Sequence, residues 1–247
     1  MWLRVFGTAC VVVGVTACGS GFDTSQYPTP QALLAASISA YERGDCNGAV
    51  RGLRRVSVEL PPRDAQIAEA RFYLAECLLR DGERIESARE FRRVADEFPQ
   101  HERAPWALLR AGDALARLWK RPELDPTYGT NAISTYSELL GRYPQSDAAA
   151  EARVKLAALQ DLFALKDIKN GDFYSRLHAY DSAILYYRSI VARYPDSRYA
   201  PIALMKLVEA YRRIGYEEEA SETCDHLRRF YPEVEGLDDR CPAPTAN

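Results

Sequence analysis

The residues that most often carry catalysis are few in this chain and lie far apart in the sequence. There are three histidines in 247 residues, His101, His178 and His226. The sequence contains no glycine-rich phosphate loop, no HExxH motif of zinc proteases and no GxSxG motif of serine hydrolases. We therefore predict that the protein is not an enzyme and that it requires no cofactor.

A zinc site is the remaining candidate for metal chemistry. Cys224, His226 and Cys241 carry thiol and imidazole groups of the kind that bind zinc. A structural zinc site needs four ligands and usually a Cys-x-x-Cys pair, and the sequence supplies neither the fourth ligand nor the pair. No metal site is predicted.

Cys18 is the residue whose surroundings predict a covalent modification. Arg4 is followed by a short apolar stretch, residues 5–15, which is too short to span a bilayer, and the string VTAC occupies residues 15–18. This order resembles the bacterial lipobox, in which the signal peptide is cut before a cysteine that is then acylated. The resemblance implies a lipid anchor on Cys18, and Gly19 in place of aspartate implies transfer to the outer membrane. The alternatives are an ordinary signal peptide with a coincidental cysteine, or a weak membrane helix.

The lipobox divides the N-terminal part of the chain into two predicted segments. Residues 1–17 form the lipoprotein signal peptide, and residues 18–30, which are polar and include Pro28 and Pro30, form a flexible tether. A tether of about twelve residues reaches at most roughly 40 Å from its anchor.

The rest of the chain repeats one helical pattern five times. Each copy starts from a small residue: Ala49, Ser87, Ala132, Ala183 and Ala220. A larger residue follows four positions later: Leu53, Phe91, Tyr136, Tyr187 and Cys224. An apolar residue comes three positions further on, and a proline closes each copy: Pro61, Pro99, Pro144, Pro195 and Pro232. These offsets put the side chains on one face of a helix, and the proline ends that helix.

Each of these helices has a predicted partner helix upstream. Gly44, Gly82 and Gly215 lie five residues before their small residue, where a tight turn between two helices favours glycine. Thr127 and His178 take this position in repeats three and four, so those two turns must be built differently. The pattern matches the tetratricopeptide repeat, a helix-turn-helix unit of about 34 residues. We predict an all-α solenoid of five such units over residues 31–232, followed by a C-terminal tail, residues 233–247.

The charge of the chain argues against nucleic acid as a partner. Without Arg4, which lies in the predicted signal peptide, the chain has 31 basic and 35 acidic residues, a net charge of −4. Proteins that bind nucleic acid usually carry a basic excess. No nucleic-acid role is predicted.

Four cysteines of the predicted mature chain are candidates for disulfides, because an even count in an exported protein favours pairing. Cys46 follows the Gly44 turn of the first repeat, and Cys77 lies in the last turn of the first helix of the second repeat. The two cysteines therefore lie at the same end of the stack. Cys224 is a core position, and a bond to Cys241 would fasten the tail to the last repeat. The alternative is four free thiols.

Several strings in the second half of the chain point to one family. A long first helix, residue 148 to about residue 172, leads into FYSR at residues 173–176, and AYDSAI and YPDS follow at residues 179–184 and 194–197. The third repeat carries an insertion around residues 124–127. With the lipobox, these features resemble the BamD family, lipoproteins of the outer-membrane β-barrel assembly machinery.

The resemblance implies a scaffold on the periplasmic face of the outer membrane. It would bind the periplasmic domains of a BamA-type insertase through its C-terminal repeats and receive unfolded barrel precursors, in a groove lined by first-helix side chains. Where some members present an arginine to the insertase, this chain has Tyr186, with Arg188 and Arg193 nearby, and these three are candidate partner-binding residues. Whether other assembly lipoproteins join stays open. The alternative function is a tetratricopeptide lipoprotein that coordinates cell-wall enzymes or the Tol-Pal envelope system, although the N-terminal coiled coil typical of such coordinators is missing.

Overall fold

The computed structural model describes residues 22–121 and 125–242, where the chain forms eleven α-helices and no β-strand. The helices are α1 (Pro30–Glu42), α2 (Cys46–Glu59), α3 (Ala65–Arg80), α4 (Arg84–Glu97), α5 (Ala104–Ala116), α6 (Thr127–Arg142), α7 (Asp147–Arg176), α8 (Tyr180–Arg193), α9 (Ala200–Arg213), α10 (Glu217–Phe230) and α11 (Leu237–Arg240). The predictions for Cys18 and for the signal peptide lie outside the described residues.

Helices α1 to α10 form five antiparallel hairpins that stack in chain order. Each helix packs against the next one in the chain, and the first helices of successive hairpins also contact each other. The predicted all-α fold with five helix-turn-helix units is therefore confirmed.

The repeated sequence positions form the core of this stack. Each second helix ends two residues before its closing proline. The side chains at the small position, four positions on and seven positions on are all at most 3% exposed. The residues seven positions on are Val56, Val94, Leu139, Ile190 and Leu227.

The turns within the hairpins show why glycine recurs in three of them. Gly44, Gly82 and Gly215 have φ angles of 86°, 89° and 78°, a left-handed conformation that side chains with a Cβ rarely adopt. His178 adopts the same conformation, with a φ of 59°, although it is not glycine. The third turn is a longer connection, because α5 ends at Ala116 and α6 begins at Thr127.

Helix α7 is the longest element, with 30 residues. It begins after Ser146, whose Oγ accepts a hydrogen bond from the Ala149 amide at 3.2 Å. Since it contacts α5, α6, α8 and α9, it joins the third hairpin to the fifth.

The segments on both sides of the repeat region pack onto it. Residues 22–29, which belong to the predicted flexible tether, pack on the first hairpin instead of running free. Within the predicted tail, Leu237 and Cys241 are buried against the last hairpin. The tether prediction is wrong for residues 22–29, because apolar side chains there find a matching surface.

Candidate partner-binding surfaces

Two polar clusters with the same composition, each built on a buried tyrosine, link neighbouring hairpins. Tyr136 Oη donates a hydrogen bond to Asp113 Oδ1 at 2.7 Å, and Lys155 Nζ contacts the same carboxylate at 2.7 Å. In the next hairpin, Tyr187 Oη donates to Asp172 Oδ1 at 2.7 Å, and Lys206 Nζ lies 2.7 Å from that oxygen. Burial and the adjacent carboxylates raise the pKa of both tyrosines, so both stay protonated donors.

A glycine makes each cluster possible. Gly112 and Gly171 directly precede the two aspartates, and a Cβ at either position would overlap the ring of the paired tyrosine. Sequence reasoning missed both clusters. The available signal was a Gly-Asp dipeptide inside a first helix, where glycine otherwise weakens the helix.

An ion-pair network extends the first of these clusters across three first helices. Arg110 donates to both carboxylate oxygens of Glu76, at 2.5 and 2.7 Å, and also lies 3.2 Å from Asp113. Lys155 contacts Glu151 at 2.8 Å as well as Asp113. The hydrogen bond to Glu76 raises the pKa of Arg110. A partner that binds the first helices of repeats two to four would have to displace these ion pairs. The sequence predicts a groove lined by first-helix side chains, but it does not predict that those side chains are already paired with each other.

A groove lies elsewhere in the first two repeats, and we call it the N-terminal groove. Its walls are α2 and α4, and its floor is the side of α3 that carries Ile67, Leu74 and Leu78. It consists of two adjoining cavities of about 410 and 340 Å³ that share Val58 and Arg71. Val58 is 84% exposed, and Arg71 is held by an ion pair with Glu97 at 2.5 Å. The groove therefore combines an apolar floor with charged edges.

Three aromatic rings in contact mark the C-terminal half, and we call them the aromatic row. Phe173 packs edge-on against Tyr174 with ring centroids 5.4 Å apart, and Tyr174 stacks on Tyr186 at 5.5 Å. Phe173 is 51% exposed, and Leu177, one helical turn further on, is 60% exposed. Exposed aromatic and apolar side chains in contact are typical of protein-binding surfaces.

The three candidate partner-binding residues do not form one surface. Tyr186 and Arg193 lie on the flank of α8 that faces α7. Tyr186 stacks on Tyr174 there, and the positive charge of Arg193 favours the ionised form of the Asp167 carboxylate. Arg188 lies on the other flank, where its positive charge opposes the rise that burial causes in the pKa of Tyr211 on α9. Tyr186 thus belongs to the aromatic row, Arg193 lies on the same flank of α8 two helical turns further on, and Arg188 lies on the other flank.

The C-terminal segment is fastened over the last hairpin. Cys224 and Cys241 form a disulfide. Arg228 donates to the carbonyl oxygens of Cys241 and Pro242, at 2.6 and 2.7 Å, and Arg212 donates to that of Arg240 at 2.6 Å. A cavity of about 700 Å³ lies between this segment and α9.

The other two cysteines are neighbours but are not bonded. Cys46 and Cys77 share a side-chain hydrogen bond, and both are buried free thiols. The expected proximity is present, and the expected disulfide is absent. Burial raises the pKa of the Cys77 thiol well above its usual range, and a protonated thiol does not attack a disulfide.

Removing the C-terminal disulfide should free the C-terminal segment. The double variant Cys224→Ala/Cys241→Ser should lower the free energy of unfolding by about 2–4 kcal/mol, because the cross-link restricts the unfolded chain. Limited trypsin digestion should cut after Arg240 sooner than in the unaltered protein. The matched control is Cys46→Ala, which removes a buried thiol and its hydrogen bond but no disulfide, and should leave that cleavage rate unchanged. Unchanged cleavage in the double variant would show that Arg212 and Arg228 suffice to hold the segment.

The described residues give no sign of a metal centre or of a membrane-spanning helix. No group of three or more His, Cys, Asp or Glu side chains in residues 22–121 and 125–242 is placed to hold a metal ion. In that same part of the chain, no helix has both the length and the apolar character needed to cross a bilayer.

Comparison with known proteins identifies relatives of the chain. A family model for YfiO, described as an outer membrane lipoprotein, matches residues 27–227. The outer membrane protein assembly factor BamD of Vibrio cholerae is 30% identical over 144 residues, which cover 54% of this chain and 59% of that protein. BamD of Neisseria meningitidis serogroup A is 24% identical over 183 residues, or 69% of this chain and 68% of that one. The match to the Vibrio protein thus spans less than two thirds of its length.

A solved tetratricopeptide structure is also similar. A thermophilic protein from Thermus thermophilus is 21% identical, with a TM-score of 0.39 and a match that covers 86% of this chain and 96% of that one. The family model covers most of the chain, from the end of the N-terminal segment through almost all of α10. The resemblance to the BamD family is therefore confirmed, and the chain belongs to the YfiO family of outer membrane lipoproteins.

Proposed function

We propose that this protein is a lipid-anchored scaffold of the β-barrel assembly machinery on the periplasmic face of the outer membrane. It binds a BamA-type insertase and unfolded barrel precursors, and it carries out no catalytic step. The observation that carries the proposal is the YfiO family match over residues 27–227, together with relatives named as outer membrane protein assembly factors. Acylation of Cys18 would supply the anchor.

The aromatic row is the surface that we assign to the insertase. It lies where α7 ends, and α7 is held by four neighbouring helices. Side chains on a rigid element lose little conformational entropy when they bind, and aromatic residues contribute strongly to binding free energy. Both properties suit an interface that persists.

The N-terminal groove is the surface that we assign to precursors. Val58, which is 84% exposed, offers an apolar contact to an extended chain, and the buried Ile67 and Leu74 close the floor beneath it. Its charged edges carry both signs, mostly in ion pairs such as Arg93 with Glu90 and Arg89 with Glu86, so a polar precursor segment would exchange with these pairs. Such a mixed surface suits many different unfolded sequences.

The double variant Phe173→Ser/Leu177→Ser should weaken binding to the purified periplasmic domains of the insertase by at least about tenfold, which corresponds to roughly 1.4 kcal/mol. The measurement is isothermal titration calorimetry, with circular dichroism to check that helix content is unchanged. Ile85→Ser is the matched control, because Ile85 is also 51% exposed but lies in repeat two. Charge reversal at Arg193, which is on the flank of α8 that carries Tyr186, should weaken binding more than charge reversal at Arg188 on the other flank.

Equal loss with Ile85→Ser and with the double variant would contradict the assignment of the insertase to the aromatic row. A pull-down of the full chain in mild detergent tests the function itself. Co-purification of a large outer-membrane barrel protein supports it. Recovery of peptidoglycan hydrolases or Tol proteins without that barrel protein would favour the coordinator instead.

A further inference from the structure

Residues 22–29 form a strap that lies along α2. The rings of Phe22 and Tyr27 stack with centroids 5.6 Å apart, and both pack against the core of the first hairpin. Between them, residues 24–26 form a short 3-10 helix capped by Asp23, whose Oδ1 accepts a hydrogen bond from the Ser25 amide at 2.9 Å. The strap is thus an ordered part of the fold.

Side chains of α2 bind the strap at its backbone. Arg51 Nη2 donates to the carbonyl oxygen of Phe22, and Arg55 Nη1 donates to that of Thr24, both at 3.1 Å. These two hydrogen bonds lie one helical turn apart on α2 and fix the direction of the strap along it.

Two glycines of α2 make room for the strap. A Cβ at Gly48 would lie 2.6 Å from Phe22 Cβ, and a Cβ at Gly52 would lie 3.0 Å from Phe22 Cε1. A Cβ would also overlap Asp45 at Gly48 and Ser37 at Gly52, so the two glycines let the strap and α1 both approach α2 closely.

The strap determines where the chain leaves the first hairpin. Phe22 lies beside the first turns of α2, next to the turn that joins α1 to α2, and the strap ends at Pro30 where α1 begins. Four residue steps separate Cys18 from Phe22, and they span at most about 14 Å. The free tether predicted from sequence would have reached roughly 40 Å.

We infer that the strap holds the α1–α2 turn of the first repeat against the lipid headgroups of the membrane. The inference rests on the proposed acylation of Cys18, because the acyl chains place that residue at the bilayer surface. Arg43 and Asn47, which are exposed at this turn, then face the headgroups. Val58 lies about 18 Å along α2 from Cys46, since a helix rises 1.5 Å per residue, so with the α1–α2 turn at the headgroups it is the more distant of the two positions.

Fluorescence quenching in proteoliposomes tests this orientation. The full, acylated chain is labelled at an introduced cysteine, either Arg43→Cys or Val58→Cys, and the vesicles contain lipids with a quencher in the headgroup. The chain without an introduced cysteine serves as the labelling control, since Cys46 and Cys77 are buried and Cys224 and Cys241 are bonded. We expect the label at residue 43 to be quenched several times more strongly than the label at residue 58.

Two variants should abolish this difference by different routes. Phe22→Ser with Arg51→Ala releases the strap, and a twelve-residue Gly/Ser insertion between residues 21 and 22 keeps the strap but lengthens the anchor. If the acylated chain shows equal quenching at both positions, the inference is wrong and the proposed function stands. If mass spectrometry finds no acyl group on Cys18, the inference and the proposed anchor fail together.

Discussion

Replacing Cys18 with serine should move the protein from the membrane fraction to the soluble fraction and abolish its labelling by a palmitate analogue. Serine lacks the thiol that the lipobox presents for acylation. Each buried CH₂ group of an acyl chain contributes about 0.8 kcal/mol to membrane binding, so the loss of the chains removes the main source of membrane affinity. The measurement is fractionation of labelled cells followed by immunoblotting.

Cys10→Ser is the matched control for this experiment. Cys10 lies in the same apolar stretch as the lipobox, but it belongs to the segment that cleavage would remove. It should change neither the labelling nor the fractionation. Lipid labelling of Cys18→Ser, with the variant still in the outer membrane, would show that another residue carries the anchor.

Asp113→Ala should lower the free energy of unfolding by about 3 kcal/mol, the largest effect that we expect from a single substitution in the repeats. Asp113 is 7% exposed and accepts hydrogen bonds from Tyr136 and Lys155, while Arg110 lies 3.2 Å away. Without the carboxylate, the buried Tyr136 hydroxyl has lost its acceptor and Lys155 keeps only Glu151. Urea unfolding followed by circular dichroism measures the loss.

Asp172→Ala removes the same group from the second cluster and should cost only about 1 kcal/mol. The Asp172 side chain is 31% exposed, so water replaces part of what is lost. Ser175 also hydrogen-bonds Tyr187 and remains in place. Equal losses in the two variants would mean that burial does not decide the strength of these clusters.

The sequence predicts the helices of this protein well because their signals are local. The small residue, the large residue four positions later and the closing proline all lie within one helix or directly after it. Tyr136 and Tyr187, which take the position of the large residue, are at most 2% exposed. His178 shows the limit of such signals. It takes a left-handed conformation that only the surrounding hairpin imposes.

The binding surfaces could be predicted less well because they depend on contacts between distant segments. The cluster of Tyr136, Asp113 and Lys155 draws one residue from each of three helices, and no spacing within one helix reveals it. The sequence of the strap predicts a polar linker. Only the structure shows that Phe22 packs against α2 beside Gly48 and Gly52. The FYSR string contains Phe173 and Tyr174, but nothing in the sequence shows that Tyr174 stacks on Tyr186 of the next helix.

The length of α7 has a mechanical consequence. Its 30 residues make a rod of about 45 Å, since each residue adds 1.5 Å. Near its start, Lys155 contacts Asp113 of α5, and near its end, Asp172 contacts Lys206 of α9. The rod is therefore held at both ends. A force that a partner applies at the aromatic row would be carried along the rod to the third hairpin instead of being absorbed where it is applied.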